Sequence, residues 1–234
     1  MAGLRAVGSS LAYGRSVLRG KAVATMLGVC AAMWAVAAEA EPVTLLAFGD
    51  SLTQGYGLEQ GSGLVPQLED WLKDQGREVT VINGGVSGDT TAGGLARIDW
   101  SLTPEVEALM VILGGNDLLR GTDPATVRAN LEGILQAGAS RDLPMLLVGM
   151  QSAQNFGADY KAAFDAIYPE LADQFETVFV PSFLGLLSDS GDPADLRGHM
   201  QPDGIHPSAQ GVARIVEALG PSVLEVLDRV PDKR

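Results

Sequence analysis

Few residues in this chain could act as an acid or a base near neutral pH. Its 234 residues include only two histidines, His199 and His206. His206 lies in the run Asp203-Gly204-Ile205-His206-Pro207, directly before a predicted helix. An aspartate three residues before a histidine on one turn can hold its carboxylate against imidazole Nδ1, which leaves Nε2 facing a nucleophile. Taken alone, the same spacing more often marks a surface turn with an aspartate helix cap.

Ser51 is the candidate nucleophile for such a base. It follows an apolar run over 43–48 and the dipeptide Gly49-Asp50, which together predict a buried strand that ends in a turn. Acyl transfer needs a nucleophile, a base, an orienting acid and donors for the oxyanion, and serine is the nucleophile that suits a histidine base. Serine is also a favoured helix N-cap, so its residue type leaves both interpretations open.

Two further strand ends carry small and polar residues. The second strand is predicted to stop at Asn83-Gly84-Gly85, with Gly88 in the loop that follows, and the third at Gly114-Gly115, directly before Asn116. A glycine N–H can approach a substrate closely, and an asparagine amide is a neutral donor, so both could stabilise an oxyanion. Gly88 could equally serve a positive φ, and Asn116 a turn.

The elements that must position these residues alternate between apolar β-rich runs and helical patterns. Continuous apolar runs are typical of a parallel sheet buried on both faces, and alternating elements predict a three-layer α/β/α sandwich whose ligands bind at the strand ends. Pro169 is predicted to kink or split its helix, and Pro221 to open a separate last helix. Strands are predicted over 43–48, 79–82, 108–113, 145–149 and 177–180, and helices over 64–73, 91–98, 124–137, 160–175, 208–219 and 221–230.

Taken together, these residues resemble the four blocks of the SGNH, or GDSL, hydrolase family. The blocks are Gly49-Asp50-Ser51-Leu52, the stretch 85–90 around Gly88, Gly114-Gly115-Asn116-Asp117, and Asp203-Gly204-Ile205-His206-Pro207. The intervening stretches 93–97, 116–121 and 166–169 resemble the bacterial periplasmic acyl-CoA thioesterase, lysophospholipase and arylesterase branch. The similarity covers nearly all of the chain after residue 40, although Asn83-Gly84-Gly85 is richer in glycine than in that branch.

The resemblance implies a flavodoxin-like three-layer α/β/α sandwich with a five-stranded parallel sheet. It implies a catalytic triad in which Ser51 attacks an acyl carbonyl, His206 takes the serine proton and Asp203 orients His206. It also implies an oxyanion hole made by the backbone N–H groups of Ser51 and Gly88 and by the side-chain amide of Asn116. The implied substrates are small acyl or aryl esters and thioesters, including acyl-CoA and lysophospholipids, and no cofactor is implied.

Two other functions remain open at this point. A carbohydrate acetylesterase of the same superfamily would use the same residues. A flavodoxin-like module that binds phosphate or flavin belongs to another class, and neither a G-x-G-x-x-G nor a Walker pattern supports it. The chain also has no G-x-S-x-G motif, which disfavours an α/β-hydrolase.

Composition narrows the possible partners. The formal net charge is −13, which disfavours nucleic-acid binding because such a surface repels phosphate backbones. The only cysteine is Cys30, so the chain after residue 40 has no disulfide or thiol nucleophile, and two histidines leave little for zinc. Hydrophobic residues make up 46% of the chain, enough for the core of one domain, predicted over 41–234.

The first 40 residues are predicted to form a signal peptide. Four basic residues precede an Ala-rich apolar run over 22–38, and Ala38-Glu39-Ala40 fits the A-x-A cleavage pattern. This predicts a periplasmic or secreted protein with no stable membrane insertion after cleavage. An uncleaved anchor is the alternative, although a mostly alanine run is weak for a membrane span.

Other polar and aromatic residues are predicted to have structural roles. Asp50 is predicted to stabilise its loop by capping or hydrogen bonding, Asp117 to orient the loop of Asn116, and His199 to be exposed. The stretch 151–160 follows the fourth strand and could line the acyl site. Four aromatic residues are predicted to pack rather than to bind a ligand: Trp71, Trp100, Phe156 and Tyr160.

Overall fold

Five short apolar strands form one parallel sheet. The computed structural model describes residues 41–188 and 193–231, so the predicted signal peptide lies outside the described residues. All strand pairs are parallel, and the order across the sheet is β2-β1-β3-β4-β5, the flavodoxin-like order. The strands are β1 (Val43–Gly49), β2 (Val79–Gly85), β3 (Ala108–Ile112), β4 (Met145–Val148) and β5 (Val178–Val180).

Helices cover both faces of this sheet, so the predicted three-layer α/β/α sandwich is confirmed. The five longer helices are α2 (Leu64–Asp74), α3 (Thr91–Ser101), α5 (Pro124–Ala139), α6 (Ala158–Gln174) and α8 (Ala209–Asp228). In one layer α2 packs on α8, and in the other α5 packs on both α3 and α6. The short helices are α1 (Ser51–Gln54), α4 (Gly115–Arg120) and α7 (Pro193–Gly198), with 3-10 turns at Gln154–Phe156 and Leu184–Leu187.

The second strand is longer than its sequence predicts. Asn83-Gly84-Gly85, predicted to stop it, continues β2 and pairs with the last three residues of β1. The glycines are needed for close approach rather than for a turn. A Cβ at Gly84 would lie 3.0 Å from the Ala47 carbonyl oxygen, and one at Gly85 would lie 2.8 Å from the Asp50 carbonyl oxygen.

Both helix prolines lie inside continuous helices, so the predicted division of the last helix at Pro221 is wrong, and Pro169 does not split α6. Buried side chains occur on both sides of each proline, for example Ile167 and Leu171 in α6. The apolar face of each helix therefore continues past its proline, which has no backbone N–H to donate. Tertiary packing outweighs the local cost of the proline. Within the described parts of the chain, no helix is long and apolar enough to span a bilayer.

The two tryptophans of the helices differ from each other. Trp71 packs in the helix layer, where a Cβ at Gly220 would collide with its ring, so α2 and α8 approach closely. Trp100 is 71% exposed, so the prediction that it packs is wrong. The buried face of α3 runs through Thr91, Gly94, Arg97 and Ile98, and Trp100 lies off that face.

Candidate active site

β1 brings Ser51 to the carboxyl edge of the sheet, as the first residue of α1. The N-cap of α1 is Asp50, whose Oδ1 accepts a hydrogen bond from the Leu52 N–H at 3.0 Å. The capping role weighed for Ser51 is therefore taken by Asp50, as the prediction for that aspartate allows. The Ser51 hydroxyl therefore makes no capping hydrogen bond to the helix, and it can form a hydrogen bond with a residue from another loop.

That partner is His206. The distance between Ser51 Oγ and His206 Nε2 is 2.8 Å, and His206 Nδ1 lies 2.7 Å from Asp203 Oδ2. An ionised carboxylate only accepts, so Nδ1 carries the ring proton and Nε2 accepts from the serine hydroxyl. The structure thus joins the three predicted residues in one hydrogen-bonded series, although Ser51 and His206 are separated by 155 positions.

Asp203 is held in its ionised form by the turn that carries it. Its Oδ1 accepts the backbone N–H groups of Ile205 and His206 at 2.9 and 3.1 Å. The hydrogen bond to His206, followed by these backbone bonds, lowers the pKa of Asp203 to about 2. The same interactions fix the position of its second oxygen, Oδ2, against the imidazole.

The two other predicted oxyanion donors line the same cavity as Ser51. This cavity has a volume of about 460 Å³ and is bordered by Ser51, Gly88, Asn116 and His206, among others. Gly88 has a φ of +79°, and its carbonyl oxygen accepts from the Arg120 guanidinium at 3.0 Å. The positive φ weighed as the alternative for Gly88 is therefore present together with the predicted position at the site.

Asn116 is held by the buried carboxyl of Asp50. Asn116 Nδ2 donates to Asp50 Oδ2 at 3.3 Å, and Asp50 is only 1% exposed. Burial raises the pKa of Asp50 to about 6, and the hydrogen bonds from Leu52 and Asn116 limit the rise. One amide hydrogen of Asn116 is used by this bond, and the other is available to a ligand.

Asp117 anchors the same segment to α3. Its two oxygens accept the Thr91 backbone N–H at 2.8 Å and the Thr91 hydroxyl at 2.9 Å. Asn130 Nδ2 also donates to the Thr91 hydroxyl, at 3.1 Å. Asp117 is buried, so this network fixes α4 and with it Asn116, in agreement with the orienting role predicted for Asp117.

Arg97 is a structural residue of the site to which sequence reasoning gave no individual role. Its buried guanidinium donates to the carbonyl oxygens of Gly49 and Gly84 at 2.8 and 2.9 Å, and to Asp89 Oδ2 at 2.8 Å. It also lies 3.9 Å from the centre of the Phe48 ring. The available signal was an arginine next to Ile98 in the short helix predicted over 91–98.

The rest of the cavity wall is mostly apolar. From the stretch 151–160 only Gln151 borders the cavity, so the predicted lining role holds for one of these residues. Phe156 and Tyr160 instead pair with each other, at 5.0 Å between ring centres, which agrees with the packing predicted for them, although Phe156 is still 42% exposed. The larger apolar residues of the wall are Leu52, Tyr56, Leu118, Leu119, Met150, Leu184 and Ile205.

His199 is half-buried, so the prediction that it is exposed is wrong. Its carbonyl oxygen accepts the backbone N–H and the hydroxyl of Ser208, the N-cap of α8, at 2.8 and 3.1 Å. It does not border the cavity. Among the residues that the structure describes, no cluster of three His, Cys, Asp or Glu side chains could hold a metal ion.

A hydroxyl, an imidazole and a carboxylate in series beside an apolar cavity, on a flavodoxin-like sheet, define the class of α/β/α serine hydrolases. Comparison with known proteins agrees with this class. Residues 47–214 match the GDSL-like lipase/acylhydrolase family. The chain belongs to that family, and it is a serine ester hydrolase.

Relatives with high similarity carry names of the same kind. The chain is 38% identical over 205 residues to esterase TesA of Pseudomonas aeruginosa, covering 87% of this chain and 99% of TesA. It is 37% identical over 167 residues to thioesterase 1/protease 1/lysophospholipase L1 of Escherichia coli K12, covering 70% and 76%. The crystal structure of AlinE4, an SGNH-hydrolase family esterase, matches with a TM-score of 0.64 and 44% identity, over 80% of this chain and 97% of that one.

Proposed function

We propose that this chain hydrolyses carboxylic esters and thioesters through an acyl-enzyme formed on Ser51, with His206 as the base and Asp203 as the orienting acid. The observation that carries the proposal is the 2.8 Å contact between Ser51 Oγ and His206 Nε2. A nucleophile within hydrogen-bond reach of an oriented base is the geometric requirement for this chemistry.

In the proposed reaction, Ser51 Oγ attacks the acyl carbon while His206 Nε2 takes the hydroxyl proton. The negative charge that develops on the carbonyl oxygen is stabilised by the N–H groups of Ser51 and Gly88 and by the Asn116 amide. His206 then gives its proton to the departing alcohol or thiol. Water, deprotonated by the same imidazole, attacks the acyl-enzyme and releases the acid together with free Ser51.

The cavity wall supports an uncharged acyl group as the part of the substrate that binds. A volume of about 460 Å³ is in the range of small-molecule sites, and apolar side chains dominate the wall. We propose aryl esters, acyl-CoA and lysophospholipids as the substrate classes. The names of the two curated relatives, an esterase and a thioesterase/lysophospholipase, support this range.

We further propose that residues 1–40 are a signal peptide and that the enzyme works in the periplasm or outside the cell. The basic start, the apolar run and the Ala38-Glu39-Ala40 pattern support this proposal. Mass spectrometry of the protein recovered from a periplasmic extract tests it. A protein that starts near Glu41 is expected, whereas an intact N-terminus in the membrane fraction would indicate a retained anchor.

The first test is replacement of the nucleophile. Ser51→Ala is expected to lower the hydrolysis of p-nitrophenyl butyrate by roughly 10⁴-fold or more, because the base has no hydroxyl to activate. Ser140→Ala, in an exposed serine at the end of α5, is the matched control and should keep full activity. Retained turnover in a Ser51→Ala protein with a native unfolding temperature would refute the proposal.

A substrate panel then separates the proposed classes. Esters of increasing acyl length, acyl-CoA and lysophospholipids should be cleaved through the same serine, so Ser51→Ala should remove all these activities together. Acetylated xylan is the competing substrate. Preferential release of acetate from xylan would indicate a carbohydrate acetylesterase instead.

A further inference from the structure

The ring of Tyr56 lies against the ring of His206, and the proposed chemistry gives Tyr56 no part. The centres of the Tyr56 and His206 rings are 4.7 Å apart, with 38° between their planes. Tyr56 follows α1 closely, borders the cavity and is 51% exposed. Its hydroxyl makes no hydrogen bond to the described residues, so the ring itself is the part in contact with the imidazole.

The backbone of Tyr56 is fixed to both halves of the site. Its N–H donates to the Ser51 carbonyl oxygen at 3.2 Å, within the turn that ends α1. Its carbonyl oxygen accepts from Gln201 Nε2 at 2.8 Å, and the same nitrogen donates to the Pro207 carbonyl oxygen at 3.0 Å. The side-chain amide of Gln201 therefore links the turn that follows Ser51 to the turn that carries His206.

The backbone of Gln201 also makes two hydrogen bonds within the turn that carries His206. Its N–H donates to the His206 carbonyl oxygen at 2.7 Å, and its carbonyl oxygen accepts the Gly204 N–H at 3.0 Å. The side chain passes directly under Gly57, where φ is +74° and a Cβ would collide with Gln201 Oε1. The space for this amide thus depends on a glycine next to Tyr56.

The imidazole needs such support because its two hydrogen bonds act in the ring plane. The bonds to Ser51 and Asp203 fix the positions of Nε2 and Nδ1 but resist tilting of the ring only weakly. Asp203 is itself more than one-third exposed, so water can compete for its oxygens. An aromatic ring packed against the imidazole resists tilting, and aromatic pairs at this separation attract one another.

We infer that Tyr56 and Gln201 are positioning residues that hold the His206 ring at the distance from which it activates Ser51. The inference rests on the proposed function, since it assumes that Ser51 is the nucleophile. Tyr56 acts by contact with the ring, and Gln201 acts by fixing Tyr56 relative to the turn that carries His206. Neither side chain exchanges a proton with the substrate.

Tyr56→Leu and Tyr56→Phe test the role of the ring, with kcat and KM measured on p-nitrophenyl acetate, whose acyl group is too small to need the cavity wall. Tyr56→Leu is expected to lower kcat about tenfold and to change KM by less than about twofold, because positioning acts on the chemical step. Tyr56→Phe keeps the ring and should restore most of kcat. A raised KM with an unchanged kcat would show that Tyr56 binds substrate instead, and would overturn the inference.

Gln201→Leu tests the hydrogen bonds of the Gln201 amide, because leucine is of similar size but has no donor. The expected result is again a lower kcat at nearly constant KM. Gln67→Leu is the matched control, because Gln67 Nε2 also donates to two carbonyl oxygens, those of Ser62 and Ala209, but does not border the cavity. Equal losses of kcat in both variants would contradict a specific role for Gln201.

Reaction with diethyl p-nitrophenyl phosphate separates failure of this inference from failure of the proposed function. Ser51 Oγ forms a bond to phosphorus, p-nitrophenolate leaves, and His206 takes the hydroxyl proton. Absence of the label from Ser51 would overturn the proposed function, and the positioning role with it. Labelling of Ser51 at the wild-type rate in Tyr56→Leu would overturn the positioning role alone, whereas a rate about tenfold lower supports it.

Discussion

Asp50 and Asp203 both lie close to Ser51 and His206, in very different surroundings. Asp203 is exposed and receives hydrogen bonds from His206 and two backbone N–H groups, which lower its pKa to about 2. Asp50 is buried, and its pKa rises to about 6. Asp203 is therefore the carboxylate that is ionised throughout the neutral pH range, and it is placed to stabilise an imidazolium. Asp50 serves as an acceptor that fixes the Asn116 amide.

Replacing Asn116 tests its proposed role in the oxyanion hole. Asn116→Ala is expected to lower kcat for p-nitrophenyl butyrate about 100-fold with little change in KM, because its bond to the substrate oxygen strengthens as charge develops. Asn155→Ala is the control, since that side chain is exposed and does not border the cavity. Comparable kcat values for the two variants would exclude Asn116 from the oxyanion hole.

At the scale of elements, the ends of β1 and β2 are joined by a side chain from α3. Arg97 binds the last carbonyl of β1 and a carbonyl near the end of β2, together with Asp89 beside Gly88. Gly93 leaves room for this arrangement, because a Cβ there would collide with Asp89 Oδ1. The backbone around Ser51 and the backbone around Gly88 are thus held by one guanidinium.

Gly85→Ala tests how closely these elements must approach. The added methyl would meet the Asp50 carbonyl oxygen and the Gln54 backbone, so we expect a loss of about 2 kcal/mol in the free energy of unfolding, along with lower kcat. Chemical denaturation and ester hydrolysis measure the two effects. Gly198→Ala is the control, because its Cβ would have no neighbour within 4 Å, and a change of less than about 1 kcal/mol is expected.

The elements that depend on local signals were predictable from the sequence. Asp123 and Pro124 begin α5 as expected, with Asp123 accepting the Ala125 N–H, because capping is decided by adjacent residues. The strand order followed only from the family resemblance. The length of β2, the continuous helices through Pro169 and Pro221, and the burial of Arg97 depend on what lies across the fold, and no local pattern contains that information.

In the active site, too, contacts between distant parts of the chain could not be predicted from the sequence. The residue types and spacing pointed to Ser51, Asp203, His206, Gly88 and Asn116, and all of these lie at one cavity or directly beside it. Tyr56 and Gln201 received no prediction, because a tyrosine after a glycine and a glutamine before a proline are ordinary in loops. Their contacts exist only once two loops 145 positions apart come together.

At the scale of the whole molecule, the strongly negative net charge, formally −13 for the full sequence, acts on substrates before they bind. A negative surface slows the approach of anions and leaves neutral molecules unaffected, and salt screens the repulsion. We expect kcat/KM for an acyl-CoA to rise between 20 and 300 mM NaCl, roughly severalfold, while kcat/KM for p-nitrophenyl butyrate stays nearly constant. A fall for acyl-CoA with added salt would instead indicate a local cationic site for its phosphates.

The order of the functional residues along the chain has a consequence for biosynthesis. Ser51 emerges from the ribosome early, but His206 lies after the last strand and only just before α8. In the proposed mechanism a nascent chain therefore carries a serine that has no base until almost the entire domain has been made. On that proposal an unfinished polypeptide has no ester hydrolase activity, and the activity appears only when the segment that carries His206 has packed against the rest of the domain.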